Sequence, residues 1–285
     1  MNYYSRIQQT IDYIDTHLNE NITLEKLAEI ASLSKYYYHR LSSSLLGESV
    51  MSYIRKRRLS RCAMMLSESS LRIIDIALEN GFESQEVFIR AFTKYFGITP
   101  AKYRKLQTKI KLTDKISLLG KPKEIPQESI LPKIVVQKEL LGVGMQFVTT
   151  QKEIIENMSI LRFHEMFKTR IQEITGCIHP HQIYGICEDD PYTNQIYHTV
   201  FVEVISHRNI PNGMNAYHFD ASRYLIFSHK GSVQEILNTY HYIYHDWLPN
   251  SDYELSKTGK DLQIYINDKF DGTIVDMDIC VPIDF

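Results

Sequence analysis

Two short stretches decide the fold of the N-terminal third: residues 27–40, LAEIASLSKYYYHR, and residues 76–90, IALENGFESQEVFIR. Leu27-Ala28 recurs 49 positions later as Ile76-Ala77, and Gly47 recurs 50 positions later as Gly97. In each stretch a small alanine lets the next helix cross closely, and an apolar residue after a tight turn fills the corner, as in a helix-turn-helix. Because two copies are much more specific than one, the repeat predicts two tandem helix-turn-helix motifs.

The residues around these stretches predict an all-helical domain. Their apolar positions recur every three or four residues, and Pro100 is the only proline among the first hundred residues. Thr23, Ser34 and Ser84 precede such segments and are typical N-cap residues. The predicted helices are residues 4–18, 24–31, 35–46, 50–66, 73–80 and 85–95, with a short helix from Pro100.

The second helix of each motif is the predicted recognition helix. Tyr38 and Leu41, and likewise Phe88 and Phe92, are expected to pack inward. The opposite face suits base edges, because Arg pairs with guanine, Gln with adenine and Glu with the cytosine amino group. A solvated face is the alternative for any single residue, but two faces in register, each with an Arg at the matching position, favour DNA. The predicted base-contacting residues are Tyr36, His39, Arg40, Gln85, Glu86 and Arg90.

The densest basic run, residues 53–61, lies between the two motifs and is predicted to form one bridging helix. Fourteen helical residues span about 21 Å, and adjacent major-groove faces lie about 34 Å apart. With the width of the motifs added, one chain is expected to reach two successive grooves. The predicted phosphate contacts are Arg55, Arg57, Arg58, Arg61 and Lys94, with pairing to Glu48 or Glu68 as the alternative for some of the arginines.

Residues 4–107 resemble the AraC/XylS family of transcription regulators. The resemblance implies a DNA-binding domain with two motifs, which usually activates transcription beside RNA polymerase, and base contacts from the six residues named above. Ser32 departs from the family, since the first turn commonly has Gly there. The motifs that carry the resemblance are Leu27-Ala28, Ser34-x-x-Tyr37-x-x-Arg40-Leu41, Arg58-Leu59-x-x-Cys62-Ala63, Ile74-x-Ile76-Ala77-x-x-x-Gly81-Phe82-x-Ser84, Phe88-x-Arg90-x-Phe92-x-x-x-Phe96-Gly97-x-Thr99-Pro100 and Tyr103-Arg104.

Charge divides the chain into unlike parts. Residues 1–107 hold 15 Lys and Arg against 11 Asp and Glu, whereas residues 134–285 hold 11 against 20. Residues 108–133 gather three prolines and Gly120 without periodicity, which predicts an interdomain linker. A basic part joined to an acidic part suggests that one meets a polyanion and the other meets something else.

Residues 134–285 predict an α+β domain of two pseudo-symmetric strand-helix-strand-strand units. Strand-like runs at 134–147, 183–187 and 198–205 flank a helical segment ending before Gly176, and the same order returns with strands at 223–227, 262–266 and 273–281. Such units form an antiparallel sheet with both helices on one face, which leaves the other face free for a concave site.

This second domain is rich in aromatic residues around Glu203, a carboxylate inside an apolar strand. Aromatic faces with one carboxylate suit an organic cation, while the alternative is that the tyrosines are core and Glu203 pairs with Arg223. The predicted effector pocket consists of Phe147, Glu203, Tyr224, Tyr244, Trp247 and Tyr265.

Residues 134–285 also resemble the GyrI-like effector-binding domain. The resemblance implies two pseudo-symmetric halves around a groove for small, often cationic or hydrophobic compounds, as in multidrug-sensing regulators. Gln263 stands where that family commonly has Glu, which raises the alternative of a neutral or anionic ligand. The carrying motifs are Tyr224-Leu225-x-Phe227-x-x-x-Gly231, Tyr240-x-x-Ile243-Tyr244-x-x-Trp247-Leu248-Pro249-x-Ser251-x-Tyr253-Glu254, Leu262-x-Ile264-Tyr265 and Ile279-x-Val281-Pro282-Ile283.

Other classes of protein are disfavoured. With 285 residues, 44% hydrophobic and 23% charged, the composition is ordinary for two globular domains, and the absence of long apolar runs predicts a cytoplasmic protein without a membrane segment. The four cysteines are far apart and are expected to be reduced, and His241 and His245 lack a third metal ligand. A hydrolase is disfavoured because no nucleophile–base pair is visible, so we expect neither enzyme activity, nor a cofactor, nor a metal.

These observations predict a multidomain bacterial regulator. An all-α domain (residues 1–107) would bind double-stranded promoter DNA and act with RNA polymerase as an activator. A linker (108–133) leads to an α+β domain (134–285) that would sense a small hydrophobic or cationic effector, in a monomer or a homodimer. The alternative is a constitutive DNA-binding protein whose C-terminal domain is a protein-docking module.

Overall fold

A computed structural model describes residues 2–118, 131–193, 195–265 and 274–284. The chain divides into two compact units, Met1–Pro122 and Lys123–Phe285. The predicted fold class is confirmed, because the first unit is helical and the second combines helices with a sheet. The helices of the first unit are α1 (Tyr3–Thr16), α2 (Leu24–Ile30), α3 (Lys35–Leu46), α4 (Val50–Glu68), α5 (Ile73–Glu79), α6 (Gln85–Phe96) and α7 (Pro100–Leu106).

The helix starts follow the predicted capping chemistry. The side chains of Thr23, Ser34 and Ser84 accept hydrogen bonds from the backbone N–H groups at the third position of α2, α3 and α6. The recognition helices α3 and α6 both end at a glycine in the left-handed conformation, Gly47 and Gly97. Local sequence therefore sets where these helices begin and end.

The predicted inward faces form the core of this unit. Tyr38 and Leu41 of α3 are fully buried, and so are Phe88 and Phe92 of α6. The hydroxyl of Tyr38 donates to Thr10 Oγ1 at 3.0 Å, which fixes α3 to α1. Burial of such aromatic side chains stabilises a fold by roughly 1.5–3 kcal/mol each, so the core faces hold both recognition helices in place.

The linker predicted from residue 108 does not begin there. Residues 110–118, which we call the strap, run along the first unit and contact α1, α4 and α6. Ile110 and Leu112 pack against the apolar core of the second motif. The lack of helical periodicity in this segment reflects an extended chain packed on helices rather than a free connection. Residues 119–130 of the predicted linker lie outside the described residues.

The second unit is built on one antiparallel sheet of eight strands, in the order β1-β6-β8-β7-β3-β4-β2-β5. Two helices, α8 (Gln151–Asn157) and α9 (Ser159–Arg170), follow β2, and α10 (Val233–His241) follows β6 and continues into a π-helical turn, Tyr242–Trp247. The strands are β1 (Lys133–Gln137), β2 (Leu140–Thr150), β3 (Ile183–Asp189), β4 (Gln195–Glu203), β5 (Asn215–Phe219), β6 (Ser222–Gly231), β7 (Leu262–Tyr265) and β8 (Val275–Ile283).

The predicted pair of strand-helix-strand-strand units is present. The first runs β2, α8 and α9, β3, β4, the second runs β6, α10, β7, β8, and they meet where β3 pairs with β7. The run predicted as one strand at 134–147 is two strands, and β1 pairs with β6 of the other half. The sequence reading missed β5. Ile266 and Thr273, which were assigned to strands, lie outside the described residues.

The helices lie on one face of this sheet, but the opposite face is not free. Its side chains form a buried cluster in which the rings of Tyr184 and Phe201 stack at 5.2 Å and those of Phe201 and Phe219 at 5.1 Å. Phe201 is fully buried and Tyr184 is 3% exposed. The face expected to form a concave site is therefore lined by large aromatic side chains that pack on one another.

Candidate DNA interface and effector site

The two helix-turn-helix motifs have the same turn geometry. Ser32 in the first turn has φ of 54°, and Gly81 in the second has φ of 73°. After each turn, a backbone N–H donates a hydrogen bond to the carbonyl oxygen of the alanine in the first helix. Leu33 N–H donates to Ala28 O at 2.9 Å, and Phe82 N–H donates to Ala77 O at 3.1 Å. Ser32 thus adopts the backbone that its glycine counterpart adopts, so the departure from Gly leaves the turn intact at a cost in strain.

The outer face of α3 carries the first predicted set of base-contacting residues. Tyr36, His39 and Arg40 are all half-buried. The Arg40 guanidinium lies 5.0 Å from the ring centroid of Tyr36, a cation–π contact that orients both side chains. The neighbouring Lys35 is exposed and pairs with Glu25 at 3.0 Å.

The outer face of α6 carries the second set. Glu86 and Arg90 are exposed and Gln85 is half-buried. A hydrogen bond from its own backbone N–H lowers the pKa of the Glu86 carboxyl, which keeps this group charged at the positive end of the helix. Arg90, four residues further along, is the cation of this predicted set, and it is exposed.

Two of the predicted phosphate-contacting residues, Arg57 and Arg58, use their guanidinium groups inside the domain. Arg57 bonds Asp15 of α1 and the carbonyl oxygen of Thr113 in the strap. Arg58 donates to three backbone carbonyl oxygens: Leu18 at 2.9 Å, Glu20 at 2.6 Å and Gly81 at 3.3 Å.

The surroundings of Arg58 support this structural assignment. Burial lowers the pKa of its guanidinium. A Cβ added at Gly81 would lie 2.8 Å from Arg58 Cζ, so the guanidinium fills the space beside this turn. Arg58 therefore joins the loop after α1 to the turn of the second motif.

The other cations of the basic helix keep outward positions. Arg55 is exposed, Arg61 is half-buried and Lys94 of α6 is exposed. The expected pairing with Glu48 is made by Lys56, at 2.7 Å. The helix is 19 residues long, about 28 Å at 1.5 Å per residue, and is longer than the segment predicted from the basic run.

On the helix side of the sheet, polar side chains converge where the two halves meet. Gln263 of β7 donates to the hydroxyl of Tyr240 at 2.9 Å and accepts from the hydroxyl of Tyr265 at 2.9 Å. Cys187 Sγ lies 4.0 Å from Gln263 Oε1 and 2.9 Å from His198 Nδ1. We call Cys187, His198, His164, Gln263, Tyr240 and Tyr265 the polar cluster.

Two buried histidines continue this cluster. His198 Nε2 lies 2.8 Å from Nε2 of His164 on α9. Burial lowers the pKa of His198 to about 3 and that of His164 well below its ordinary value. Both imidazoles are therefore neutral at pH 7, and the polar cluster offers hydrogen bonds without a formal charge.

The six predicted pocket residues do not form one site. Phe147, Tyr244, Trp247 and Tyr265 lie on the helix side, where Phe147 stacks on Phe163 at 5.1 Å and Trp247 packs on Phe227 at 5.2 Å. Glu203 and Tyr224 lie on the opposite face. The alternation of side chains along a strand causes this split. Phe147 pairs with His198 and shares its face of the sheet, whereas Glu203 is an odd number of positions after His198 on β4 and therefore lies on the other face.

A buried carboxylate that the sequence reading did not single out lies near the polar cluster. Asp261 is 1% exposed and directly precedes β7, and its contact with Tyr244 lies on the helix side of the sheet. Its two oxygens lie 2.7 and 2.6 Å from the Tyr244 hydroxyl on the π-helical turn. Tyr244 is thus a partner of this carboxylate rather than a free aromatic wall.

Cys187, His164 and His198 were also missed by sequence reasoning. Cys187 and His198 are direct neighbours across β3 and β4, and this register is not readable from either strand alone. Among the described residues no group of three His, Cys, Asp or Glu side chains is placed to hold a metal ion. No helix in the described part of the chain combines the length and apolarity required to cross a membrane.

Comparison with known proteins agrees with this architecture. Residues 27–106 match the family described as helix-turn-helix domain, and residues 138–284, just over half of the chain, match the GyrI-like small molecule binding domain. The chain belongs to the AraC/XylS-type regulators with a GyrI-like domain. Members of this family in the comparison are transcription regulators rather than enzymes.

Individual relatives match over about a third of the chain. The uncharacterized HTH-type transcriptional regulator YbfP of Bacillus subtilis is 45% identical over 36% of this chain and 35% of its own length. The right origin-binding protein of Escherichia coli K12 is 38% identical over 35% of this chain and 34% of its own length. The chain thus spans about a third of the length of these relatives. The probable transcription factor PqrA of Proteus vulgaris is 38% identical over 34% of this chain and 82% of its own length.

Proposed function

We propose that this protein is a sequence-specific DNA-binding transcription activator that reads two successive major grooves with α3 and α6. The observation that carries the proposal is the duplicated motif, with matching left-handed turns at Ser32 and Gly81 and matching glycine ends at Gly47 and Gly97. Two recognition helices held by equivalent turns present equivalent faces. Promoter DNA and RNA polymerase are the partners that this function requires.

The proposed contacts divide by chemistry. Base edges are read by Tyr36, His39 and Arg40 on α3 and by Gln85, Glu86 and Arg90 on α6. Phosphates are met by Arg55 and Lys94, which are exposed, and by Arg61, which is half-buried. Arg57 and Arg58 are left out of this set because their donors are engaged within the domain.

The test compares one base-reading and one phosphate-binding residue. After genomic footprinting of the full-length protein, fluorescence anisotropy measures affinity for the best site and for random DNA. Arg90→Ala is expected to lose about 1–3 kcal/mol at the specific site only, whereas Arg55→Ala weakens both DNAs alike and reduces the salt slope by about 1. Equal losses of Arg90→Ala on both DNAs would contradict base reading, and the absence of discrete footprints would overturn the function.

For the second unit we propose a small, uncharged, largely aromatic effector bound at the polar cluster. The support is that Gln263, at the meeting point of the two halves, presents an amide and is surrounded by neutral imidazoles and tyrosine hydroxyls. Neutral donors and acceptors favour a neutral ligand, because a buried cation needs a counter-charge. The π-helical turn beside the cluster is a feature that often marks functional sites.

A cationic effector is the second candidate, and Asp261 is the observation that favours it. This buried carboxylate lies on the same side of the sheet and would supply a counter-charge once Tyr244 released it. Thermal melting of the full-length protein with matched neutral and cationic aromatic compounds separates the two. Stabilisation by neutral compounds, abolished in Gln263→Ala, supports the first proposal; stabilisation by cations alone, abolished in Asp261→Asn, supports the second. If no compound shifts the melting temperature, the C-terminal unit is a protein-docking module.

A further inference from the structure

The strap binds to both halves of the DNA-binding unit. At one end Ile110 and Leu112 pack on the core of the second motif, and Thr113 Oγ1 lies 2.6 Å from the hydroxyl of Tyr95 on α6. At the other end the Leu118 N–H donates to Gln8 Oε1 of α1 at 2.7 Å. One extended segment thus connects a recognition helix to the helix that holds the other recognition helix through Thr10 and Tyr38.

Buried polar side chains receive the backbone of the strap. The N–H of Thr113 donates to Ser60 Oγ at 2.8 Å, and that of Ile116 donates to the hydroxyl of Tyr53 at 3.3 Å. Ser60 is 2% exposed and Gln8 is 6% exposed. Leaving a buried polar group without its partner costs roughly 1–3 kcal/mol. The hydrogen bonds to these side chains therefore stabilise the strap in its packed position.

Charge adds two further attachments. Arg57 joins Asp15 of α1 to the carbonyl oxygen of Thr113, and Lys115 pairs with Asp12 of α1 at 2.7 Å. Arg57 is therefore placed at the crossing of α1, α4 and the strap. Its side chain is only 14% exposed, so its two contacts are made in a poorly solvated position.

We propose that the strap, secured by Arg57, is a positioning element that fixes the distance between α3 and α6 and so sets the spacing of DNA half-sites that the protein accepts. This inference rests on the proposed DNA-binding function. The helix α4 and the bonds of Arg58 to Leu18, Glu20 and Gly81 connect the two motifs near the turns, and the strap adds a separate connection between α1 and α6 that restricts bending about the ends of α4.

Thr113→Pro weakens the strap at two points, because proline lacks both the N–H that donates to Ser60 and the hydroxyl that contacts Tyr95. The matched control is Thr113→Val, which keeps this N–H and the shape of the side chain. Arg57→Met is the second variant, since it removes both attachments of Arg57 while it keeps much of the aliphatic stem. Hydrogen exchange of the Ile116 and Leu118 amides reports strap release in each folded full-length protein.

Anisotropy is then measured on duplexes in which the two half-sites are moved apart or together by one or two base pairs, and on a single half-site. The native protein is expected to lose roughly 10-fold or more in affinity when the half-site spacing changes. In Thr113→Pro and Arg57→Met the affinity should depend much less on the spacing, and the affinity for a single half-site should be unchanged. Thr113→Val loses only the hydroxyl that contacts Tyr95, and it should keep a steep spacing dependence because its N–H still donates to Ser60 and Ile110 and Leu112 still pack on the second motif. If strap amides are released and the steep spacing dependence persists, the inference is overturned. A native protein without specific binding refutes the DNA-binding function itself, and the positioning role with it.

Discussion

Arg58 provides the sharpest test of how the basic helix is used. From its sequence context it was expected to meet phosphate, but its guanidinium donates to the carbonyl oxygens of Leu18, Glu20 and Gly81. Arg58→Ala is therefore expected to damage folding rather than DNA binding. Arg55, three positions earlier on α4 and exposed, is the matched control with the opposite expectation.

The size of the effect follows from the three bonds. A hydrogen bond to a charged group contributes roughly 1.5–3 kcal/mol when it is shielded and less when solvent reaches it. The bond to Leu18 is partly buried, whereas those to Glu20 and Gly81 are exposed, and the last is long at 3.3 Å. We expect Arg58→Ala to lower the free energy of unfolding by about 2–4 kcal/mol and Arg55→Ala to change it by less than about 0.5 kcal/mol.

The assay combines urea unfolding with the salt dependence of DNA binding. For Arg58→Ala the midpoint should fall with the slope against urea unchanged, and the slope of log affinity against log salt should stay native at a temperature where both proteins are folded. Arg55→Ala should show the native midpoint and a salt slope smaller by about 0.9. A native midpoint together with a reduced salt slope in Arg58→Ala would refute the structural role and restore the phosphate contact.

Three further predictions concern the turn, the histidines and the amide. Ser32→Gly should raise the free energy of unfolding of the first unit by about 0.5–1 kcal/mol, because relief of the left-handed strain exceeds the entropy that glycine adds to the unfolded chain. Gly81→Ser should lower this free energy, because it introduces the same strain and a Cβ against Arg58. Urea unfolding checks both variants. Since burial lowers the pKa of His198 to about 3 and that of His164 well below its usual value, unfolding takes up protons below pH 6.5. The second unit should therefore lose up to about 1.4 kcal/mol per pH unit for each histidine as pH falls from about 6.5 towards 3, and a second-unit melting temperature that stays flat over that range would contradict the buried neutral pair. Gln263→Glu should create affinity for aromatic cations, measured by the melting shift they produce, while an unchanged preference for neutral compounds would show that the amide does not select charge.

The first unit was predictable because its signals are local. Helix caps such as Ser34 and Ser84, and the spacing of the alanine, turn and corner residues, act within a few positions of the chain. The roles of Arg57 and Arg58 were not predictable in the same way. Their partners lie between 23 and 56 positions away along the chain. Nothing in the basic run distinguishes an arginine that reaches these partners from one that reaches phosphate.

The order of helices and strands in the second unit was predictable, but the residues that form its site were not. The order of strands and helices follows from hydrophobic periodicity, whereas the site depends on which face each strand residue takes and on which residue lies opposite it. The predicted effector pocket combined Phe147 and Glu203, which lie on opposite faces of the sheet. Cys187 and His198 are unremarkable in their own strands and become a pair only through the register of β3 with β4.

That pair also shows why geometry alone does not make a catalytic site. Cys187 Sγ lies 2.9 Å from His198 Nδ1, the separation of a nucleophile and its base. A base that removes a thiol proton must hold a positive charge, yet burial lowers the pKa of His198 to about 3 and its other nitrogen faces a second buried imidazole. Proton transfer from the thiol to His198 is therefore unfavourable, and the two side chains share a hydrogen bond without activation of the sulfur as a nucleophile. The same desolvation that removes catalytic basicity keeps the wall of the polar cluster uncharged, which is the property that a binding site for a neutral effector needs.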